Sequence, residues 1–220
     1  MSDVRTLTVT SELLDYAVAH GSWPPDAVLD DLRAETRALG RAAGMQVGAD
    51  QGQLLTFLTR LVGARAAVEV GTFTGYSSTC IARGLAPGGR LLCCDVNEEW
   101  TALARRAWER AGVADRIELR LAPALETLRG LPAEPHVDLA FIDADKTGYA
   151  AYWDELVPRL RPGGLLLVDN VLWSGRITDA DTDDADVRAL RAFNDAVAAD
   201  DRVDATILPA FDGLTLARRR

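Results

Sequence analysis

The sequence is poor in several residue types, and each shortage excludes a class of protein. Only three of its 220 residues are cysteine and two are histidine, and their spacing does not suit a zinc site. No apolar run approaches the roughly 20 residues needed to cross a bilayer, and the amino terminus lacks a secretory signal pattern. We therefore expect a soluble cytoplasmic protein with buried free thiols and no membrane association.

Positive charge is also scarce. The formal net charge is -9, and the only basic run is Arg218-Arg219-Arg220 at the end of the sequence. Such a balance is a poor electrostatic match for nucleic acid, so we expect no nucleic-acid partner.

Lysine is nearly absent, since Lys146 is the only lysine among the 24 Lys and Arg residues. Arginine stays protonated and cannot serve as a base, whereas a lysine amine can lose its proton when burial or a nearby cation lowers its pKa. Exposed lysines are common, so an ordinary surface residue and a catalytic base are both open at this point.

The sequence does contain an alternation of short apolar runs with longer helical segments, which is typical of βα units that wind a largely parallel sheet. We predict a single α/β domain over residues 1–220, with helices in residues 1–62 above the ligand site and a Rossmann-like core in residues 63–220. The predicted strands are Ala67–Val70, Arg90–Cys94, Ile117–Leu121, Val137–Ile142 and Gly164–Val168, followed by a hairpin of Ala205–Pro209 and Leu214–Ala217.

Local signals predict where three helices begin. Asp50 and Gln53 resemble a capping box that opens a helix over Gln51–Leu61. Asn97 resembles an N-cap, and Pro123 fits a first helical position.

A glycine turn, Gly71-Thr72-Phe73-Thr74-Gly75, follows the first predicted strand, where doubly wound sheets bind nucleotide-like ligands. Phe73 stands where a dinucleotide fingerprint has its second glycine, which lets the backbone approach a pyrophosphate. The turn therefore favours a nucleoside ligand without a pyrophosphate, and S-adenosylmethionine is the commonest such ligand. A plain tight turn and an NAD(P)-dependent oxidoreductase are the competing interpretations, and Phe73 argues against the second.

Two carboxylates support a nucleoside cofactor. Glu69 lies inside an apolar strand, where an ionised side chain needs a partner such as a ligand ammonium. Asp95 ends the second strand at about the offset of the acidic residue that holds ribose hydroxyls, although it could instead cap the next helix.

Three oxygen-bearing side chains, Asp143, Asp169 and Asn170, follow two neighbouring predicted strands. Two carboxylates and an amide suit a hard divalent cation, Mg²⁺ first and Mn²⁺ or Ca²⁺ as alternatives, although any one of them could merely cap a turn. A cation beside Lys146 would lower the pKa of the amine and of a coordinated hydroxyl, so that Lys146 could accept the hydroxyl proton before methyl transfer.

As a set, these motifs resemble the cation-dependent O-methyltransferases of the caffeoyl-CoA and catechol type. The resemblance covers Met45 to the end of the sequence and is carried by Met45–Gln53, Val68–Ser78, Asp143–Tyr149, Val168–Trp173 and Asp212–Thr215. It implies a class I methyltransferase fold with a mostly parallel seven-stranded sheet, an antiparallel last strand and helices on both faces. It also implies S-adenosylmethionine as cofactor, a catechol-like aromatic acceptor and a homodimer.

The resemblance assigns roles residue by residue. The metal ligands would be Asp143, Asp169 and Asn170, with Lys146 as the base and Asp143 also contacting the cofactor. The cofactor would be held by Glu69, Gly71, Ser77 and Asp95, with Met45, Val47, Thr72 and Ala124 lining the rest of its pocket.

On the acceptor side, the resemblance places Trp173 and Asp212 near the substrate, with a core aromatic and a turn cap as the plainer alternatives. A non-catalytic cofactor-binding module is the remaining competitor, and the intact set around Lys146 argues against it. The acidic balance makes a polyanionic coenzyme A thioester less attractive as acceptor, but free catechols and other intermediates stay open.

Overall fold

The computed structural model of the chain describes residues 7–21, 23–24 and 26–220. Its centre is a seven-stranded sheet. The strands are β1 (Ala66–Val70), β2 (Arg90–Asp95), β3 (Ile117–Leu121), β4 (Val137–Ile142), β5 (Leu160–Val168), β6 (Val203–Leu208) and β7 (Leu214–Arg219). Their order across the sheet is β3-β2-β1-β4-β5-β7-β6, and β7 runs antiparallel to both of its neighbours. The predicted α/β fold with an antiparallel last strand is confirmed.

Helices cover both faces of this sheet. They are α1 (Ser11–Ala19), α2 (Ala27–Arg37), α3 (Ala49–Leu61), α4 (Tyr76–Gly84), α5 (Glu98–Arg110), α6 (Ala124–Arg129), α7 (Tyr149–Leu156) and α8 (Ala185–Ala199). Among the described residues, no helix is both long and apolar enough to cross a bilayer.

Alternate residues of the central strands face opposite helical layers, as the two-residue period of a strand requires. In β4, Leu139 and Phe141 pack in one core cluster with residues of α3, α4 and α5. Ala140 and Ile142 pack in the other with residues of α6, α7 and α8. Burial on both faces explains why β4 reads as a continuous apolar run.

The structure corrects two of the predicted helix starts and confirms the third. Helix α3 begins at Ala49 after Gly48, which makes no side-chain capping bond, so the predicted capping box of Asp50 and Gln53 is wrong. Pro123 takes the N-cap position of α6 and not the first helical position. Asn97 does cap α5, because its side chain accepts a hydrogen bond from the Trp100 amide at 2.9 Å.

The predicted boundaries of the sheet also shift. β5 begins at Leu160 instead of Gly164, and its register against β4 shifts between Val137 and Leu139. Gly163 has a φ of 78°, a conformation that glycine adopts at little cost. The segment Pro162-Gly163-Gly164 is therefore an irregular part of the strand.

Candidate active site

A cavity of about 980 Å³ lies at the carboxyl ends of the central parallel strands. This is where ligands bind in open α/β sheets. Nearly all the side chains singled out from the sequence line it. They are Met45, Val47, Gly71, Thr72, Ser77, Asp95, Ala124, Asp143, Lys146, Asp169, Asn170, Trp173 and Asp212.

Asp95 fixes the glycine turn to the end of β2. One carboxylate oxygen of Asp95 accepts the backbone N–H groups of Thr72 at 2.9 Å and Phe73 at 2.8 Å, and the other accepts that of Asn97 at 2.8 Å. Since Asn97 caps α5, the helix-cap alternative for Asp95 is wrong. Asp95 stands at the wall of the cavity, with its carboxylate held by backbone amides.

Aromatic residues build the wall beside this turn. Phe73 has a φ of 51°, and its ring meets the edge of the Trp100 ring with 5.0 Å between centroids. Both side chains line the cavity. Phe73 is recognisable in the sequence because it stands where a dinucleotide fingerprint has glycine, whereas nothing local marks the face of α5 that carries Trp100.

Glu69 lies beneath the turn and does not line the cavity. Its side chain has no exposed area, and the Cys93 thiol donates to Oε2 at 3.4 Å. Glu69 Oε1 and the buried Thr72 Oγ1 have no hydrogen-bond partner within the described part of the chain. Burial raises the pKa of Glu69 to about 8, so the cofactor-free protein holds this carboxyl largely neutral at pH 7.

We expect Glu69→Gln to remove a pH dependence of stability from the cofactor-free protein. Because the folded pKa is raised, the native state binds more protons than the unfolded state between the ordinary pKa and about 8. The contribution of Glu69 to stability is therefore present at low pH and is lost as the pH rises through that window, by up to about 1.4 kcal/mol per pH unit.

Urea unfolding at pH 5, 6.5 and 8 measures this difference. The stability of the variant relative to wild type should rise with pH, whereas Glu118→Gln, at a carboxylate that is 59% exposed, should show no such trend. A constant difference across the three pH values would contradict a neutral Glu69.

Lys146 lines the same cavity and is buried, with 8% of its surface exposed. Its Nζ donates to Tyr149 Oη at 2.6 Å, Asn170 Oδ1 at 2.7 Å and Asp143 Oδ1 at 3.2 Å. The rings of Tyr149 and Trp173 lie beside the amine, with centroids 4.8 Å and 5.5 Å from Nζ. The surface-lysine alternative is therefore wrong.

Local geometry brings these groups together. β4 ends at Ile142, and a 3-10 turn over Lys146–Gly148 leads into α7, so that the three-residue spacing places Tyr149 beside Lys146. The Tyr149 hydroxyl in turn donates to the backbone oxygen of Asp169 at 2.9 Å. Tyr149 is the functional candidate that the sequence reasoning missed, although its spacing from Lys146 was a usable signal.

The donor set beside Lys146 has the chemistry of a hard-cation site. Burial raises the pKa of Asp169 to about 7, and the charge of Asp143 adds to the shift. Burial also raises the pKa of Asp143, against the opposing effect of Lys146. The buried carboxylate of Asp169 and the partly exposed carboxylate of Asp143 repel each other. Together with the Asn170 amide oxygen they suit a divalent cation.

In the described part of this protein, the carboxylates, thiols and imidazoles do not form such a site without a further ligand. No cluster of three or more His, Cys, Asp or Glu side chains able to hold a metal occurs in residues 7–21, 23–24 and 26–220. The candidate site therefore depends on an amide as its third ligand, and Asn170 occupies the left-handed region with a φ of 58°, which asparagine tolerates better than most residues.

Asp212 holds the loop that carries Trp173. Its carboxylate accepts the Ser174 N–H, and its backbone oxygen accepts the Leu172 N–H at 3.0 Å. Trp173 and Ser174 both have positive φ values, 47° and 53°, so this loop needs such support. The turn-cap interpretation of Asp212 describes these contacts, while its side chain also faces the cavity.

The sheet order, the glycine turn and the cavity define a class I methyltransferase. The chain belongs to the O-methyltransferase family, whose model matches residues 20–220.

Individual relatives agree with this assignment. Caffeoyl-CoA O-methyltransferase 2 of Zea mays is 42% identical over 187 residues, which cover 80% of this chain and 70% of that protein. Probable caffeoyl-CoA O-methyltransferase 1 of Dictyostelium discoideum is 35% identical over 213 residues, covering 95% and 92%. The crystal structure of an O-methyltransferase from Bacillus cereus in complex with SAH superposes with a TM-score of 0.86 at 34% identity, covering 94% and 97%.

The chain is therefore an S-adenosylmethionine-dependent O-methyltransferase of the caffeoyl-CoA type. The oxidoreductase interpretation is wrong.

Proposed function

We propose that the enzyme methylates one hydroxyl of a catechol-like small molecule in a reaction that depends on a divalent cation and uses Lys146 as the general base. The observation that carries the proposal is the position of Lys146 Nζ. It lies within 3.2 Å of Asp143 and Asn170, in the same cavity as the glycine turn.

Asp143, Asp169 and Asn170 would hold the cation, with Mg²⁺ the best match to three oxygen donors. When bound, such an ion supplies a Lewis acid that lowers the pKa of a hydroxyl placed against it. This assignment is supported by the burial of Asp169 and the low exposure of Asp143, whose side chain is 18% exposed. Among the described residues that line the cavity, Cys94 is the only cysteine or histidine.

As a neutral amine, Lys146 would accept the proton of the acceptor hydroxyl on its lone pair. The oxyanion would then take the methyl group of S-adenosylmethionine, whose sulfur leaves as S-adenosylhomocysteine, and the proton stays on Nζ. Tyr149 and Asn170 fix Nζ through hydrogen bonds of 2.6 and 2.7 Å, so little rearrangement is needed for proton transfer. Trp173 would form a wall for the aromatic acceptor, since its ring already lies beside Nζ.

At the cofactor end, we propose that Asp95 holds the ribose and that Gly71, Thr72 and Ser77 surround the methionine part. Glu69 would help to hold the cofactor from its buried position below the turn. Met45, Val47 and Ala124 line the same cavity and would complete the cofactor pocket.

The test is methyl transfer to catechol itself after treatment with a chelator, followed by titration with MgCl₂. We expect the chelated enzyme to be at least about tenfold slower, because the Lewis acid supplies several kcal/mol to the transition state, and magnesium to restore the rate. A thermal shift caused by S-adenosylhomocysteine binding checks that the chelated protein is still folded. Activity that does not respond to chelation would remove the cation from the mechanism.

We also propose a homodimer, as the resemblance implies. Exposed apolar side chains on α1 (Leu13, Tyr16) and α3 (Phe57, Leu61) support it. Light scattering on the purified protein measures the oligomeric state.

A further inference from the structure

The charge of the cavity distinguishes possible acceptors. Its lining includes seven aspartates, and Lys146 is its only lysine or arginine among the described residues. Three of these aspartates, Asp95, Asp143 and Asp169, already have roles in the proposed function. Asp50, Asp145, Asp186 and Asp212 are left without one.

These four carboxylates keep their charge uncompensated. None of them forms an ion pair with a lysine or arginine of residues 7–21, 23–24 and 26–220. Nearby arginines are engaged elsewhere, since Arg176 pairs with Asp184 and Arg191 donates to the backbone oxygens of Ile177 and Asp179.

Two of the four aspartates belong to the acceptor end. Asp212 supports the loop of Trp173, and its charge is felt at Asp143. Asp186 lies in the first turn of α8, directly after that loop. Phe211, which precedes Asp212 in the chain, also lines the cavity.

One buried polar atom in the cavity wall is left for a ligand or water to satisfy. Gln51, which is 3% exposed, lines the cavity, and its Nε2 has no hydrogen-bond partner in the part of the chain that the structure describes. A buried donor without a partner costs free energy unless a ligand or water satisfies it.

We infer that the natural acceptor is a free catechol whose side chain is uncharged or carries an ammonium, and that it is not a coenzyme A thioester. The inference rests on the proposed function. A coenzyme A thioester carries a diphosphate and a phosphate monoester, which proteins bind with arginine and lysine. In this cavity the charged side chains that such an anion would meet are mostly aspartates. The relatives in Zea mays and Dictyostelium discoideum are nevertheless named as caffeoyl-CoA enzymes.

The experiment compares four acceptors in the magnesium-supplemented enzyme: 2-(3,4-dihydroxyphenyl)ethylamine, 2-(3,4-dihydroxyphenyl)ethanol, 3,4-dihydroxyphenylacetate and caffeoyl-CoA. The first three share one ring and a two-carbon chain, and their terminal groups carry a positive, no and a negative charge. We expect kcat/KM for the amine and the alcohol to exceed that for the carboxylate and the thioester by about tenfold or more, because like charges repel across a partly desolvated cavity. The preference should shrink at high ionic strength.

Two variants connect the preference to the cavity. Asp186→Asn should lower the ratio of amine to carboxylate kcat/KM by about two- to fivefold, since one of several cavity charges is removed. Asp183→Asn is the matched control, because Asp183 is fully exposed, lies just before α8 and does not line the cavity. It should leave the ratio unchanged.

The outcomes separate the two proposals. Equal or better turnover of the carboxylate or of caffeoyl-CoA would overturn the acceptor inference and leave the proposed function standing. If none of the four acceptors is methylated, the proposed function fails and the acceptor inference fails with it.

Discussion

Lys146→Arg is expected to lower kcat for catechol methylation by about 100- to 10,000-fold, the usual scale of general-base loss. The substitution keeps a hydrogen-bond donor beside Asp143 and Asn170, but it replaces the neutral amine that acts as the base. It removes the ability to release and accept a proton, because a guanidinium stays protonated in proteins. The measured rate therefore reports the loss of a neutral amine that can accept the proton.

The measurement is single-turnover methyl transfer, with S-adenosylhomocysteine affinity determined by calorimetry. Affinity should stay near the wild-type value, since the hydrogen bonds of Lys146 Nζ go to Asp143, Tyr149 and Asn170 and not to the glycine turn. Arg120→Lys, a swap in the opposite direction at a side chain that is 59% exposed, controls for the exchange of cation type. Full activity of Lys146→Arg would show that the hydroxyl is activated without this lysine.

The sequence predicted the convergence of Asp143, Asp169 and Asn170 for a simple geometric reason. Each follows an apolar strand, and the carboxyl ends of neighbouring parallel strands lie at one edge of a sheet. The pairing of β4 with β5 brings Ile142 opposite Val168, so the residues that follow meet. The prediction also required β4 and β5 to be neighbours in the sheet, which the alternation of strands and helices favoured.

Contacts between distant segments were not predictable in the same way. The bond from Tyr149 to the backbone oxygen of Asp169 and the bond from Ser174 to the carboxylate of Asp212 join parts of the chain that only the folded backbone brings together. The depth of Glu69 below the turn depends on the side chains of neighbouring β2, such as Cys93. Periodicity identifies the face of a strand but not which atom of that face reaches a cavity.

Helix starts show the same limit on a smaller scale. Asp50 and Gln53 have the spacing of a capping box, yet Gly48 opens α3 and no side chain caps it. Tertiary contacts decide the start, because Gln51 and Gly52 are already buried in the first turn of α3. Local capping signals are worth about 1 kcal/mol, which such burial can outweigh.

Gly71→Ala is expected to destabilise the protein by about 4 kcal/mol or more, a loss typical of severe backbone conflict at a special φ. Gly71 has a φ of 91°, and a Cβ atom there would lie 1.9 Å from the backbone oxygen of Asp143. That oxygen belongs to the segment that leads from β4 to Lys146, so it cannot move without shifting the catalytic end of the cavity. The glycine is thus required by the packing of β1 against β4 as well as by any ligand.

Gly63→Ala separates the cost of the left-handed backbone conformation from the cost of the steric clash with β4. Gly63 also has a positive φ, 62°, but a Cβ there meets no atom within 4 Å. It should cost only the left-handed conformation, about 1–2 kcal/mol. Urea unfolding of both variants gives the difference, and S-adenosylhomocysteine binding shows whether Gly71→Ala, where it folds, has lost the site. If Gly71→Ala and Gly63→Ala destabilise the protein equally, the end of β4 moves to accommodate the added methyl group. Gly71 would then be needed for its backbone conformation alone.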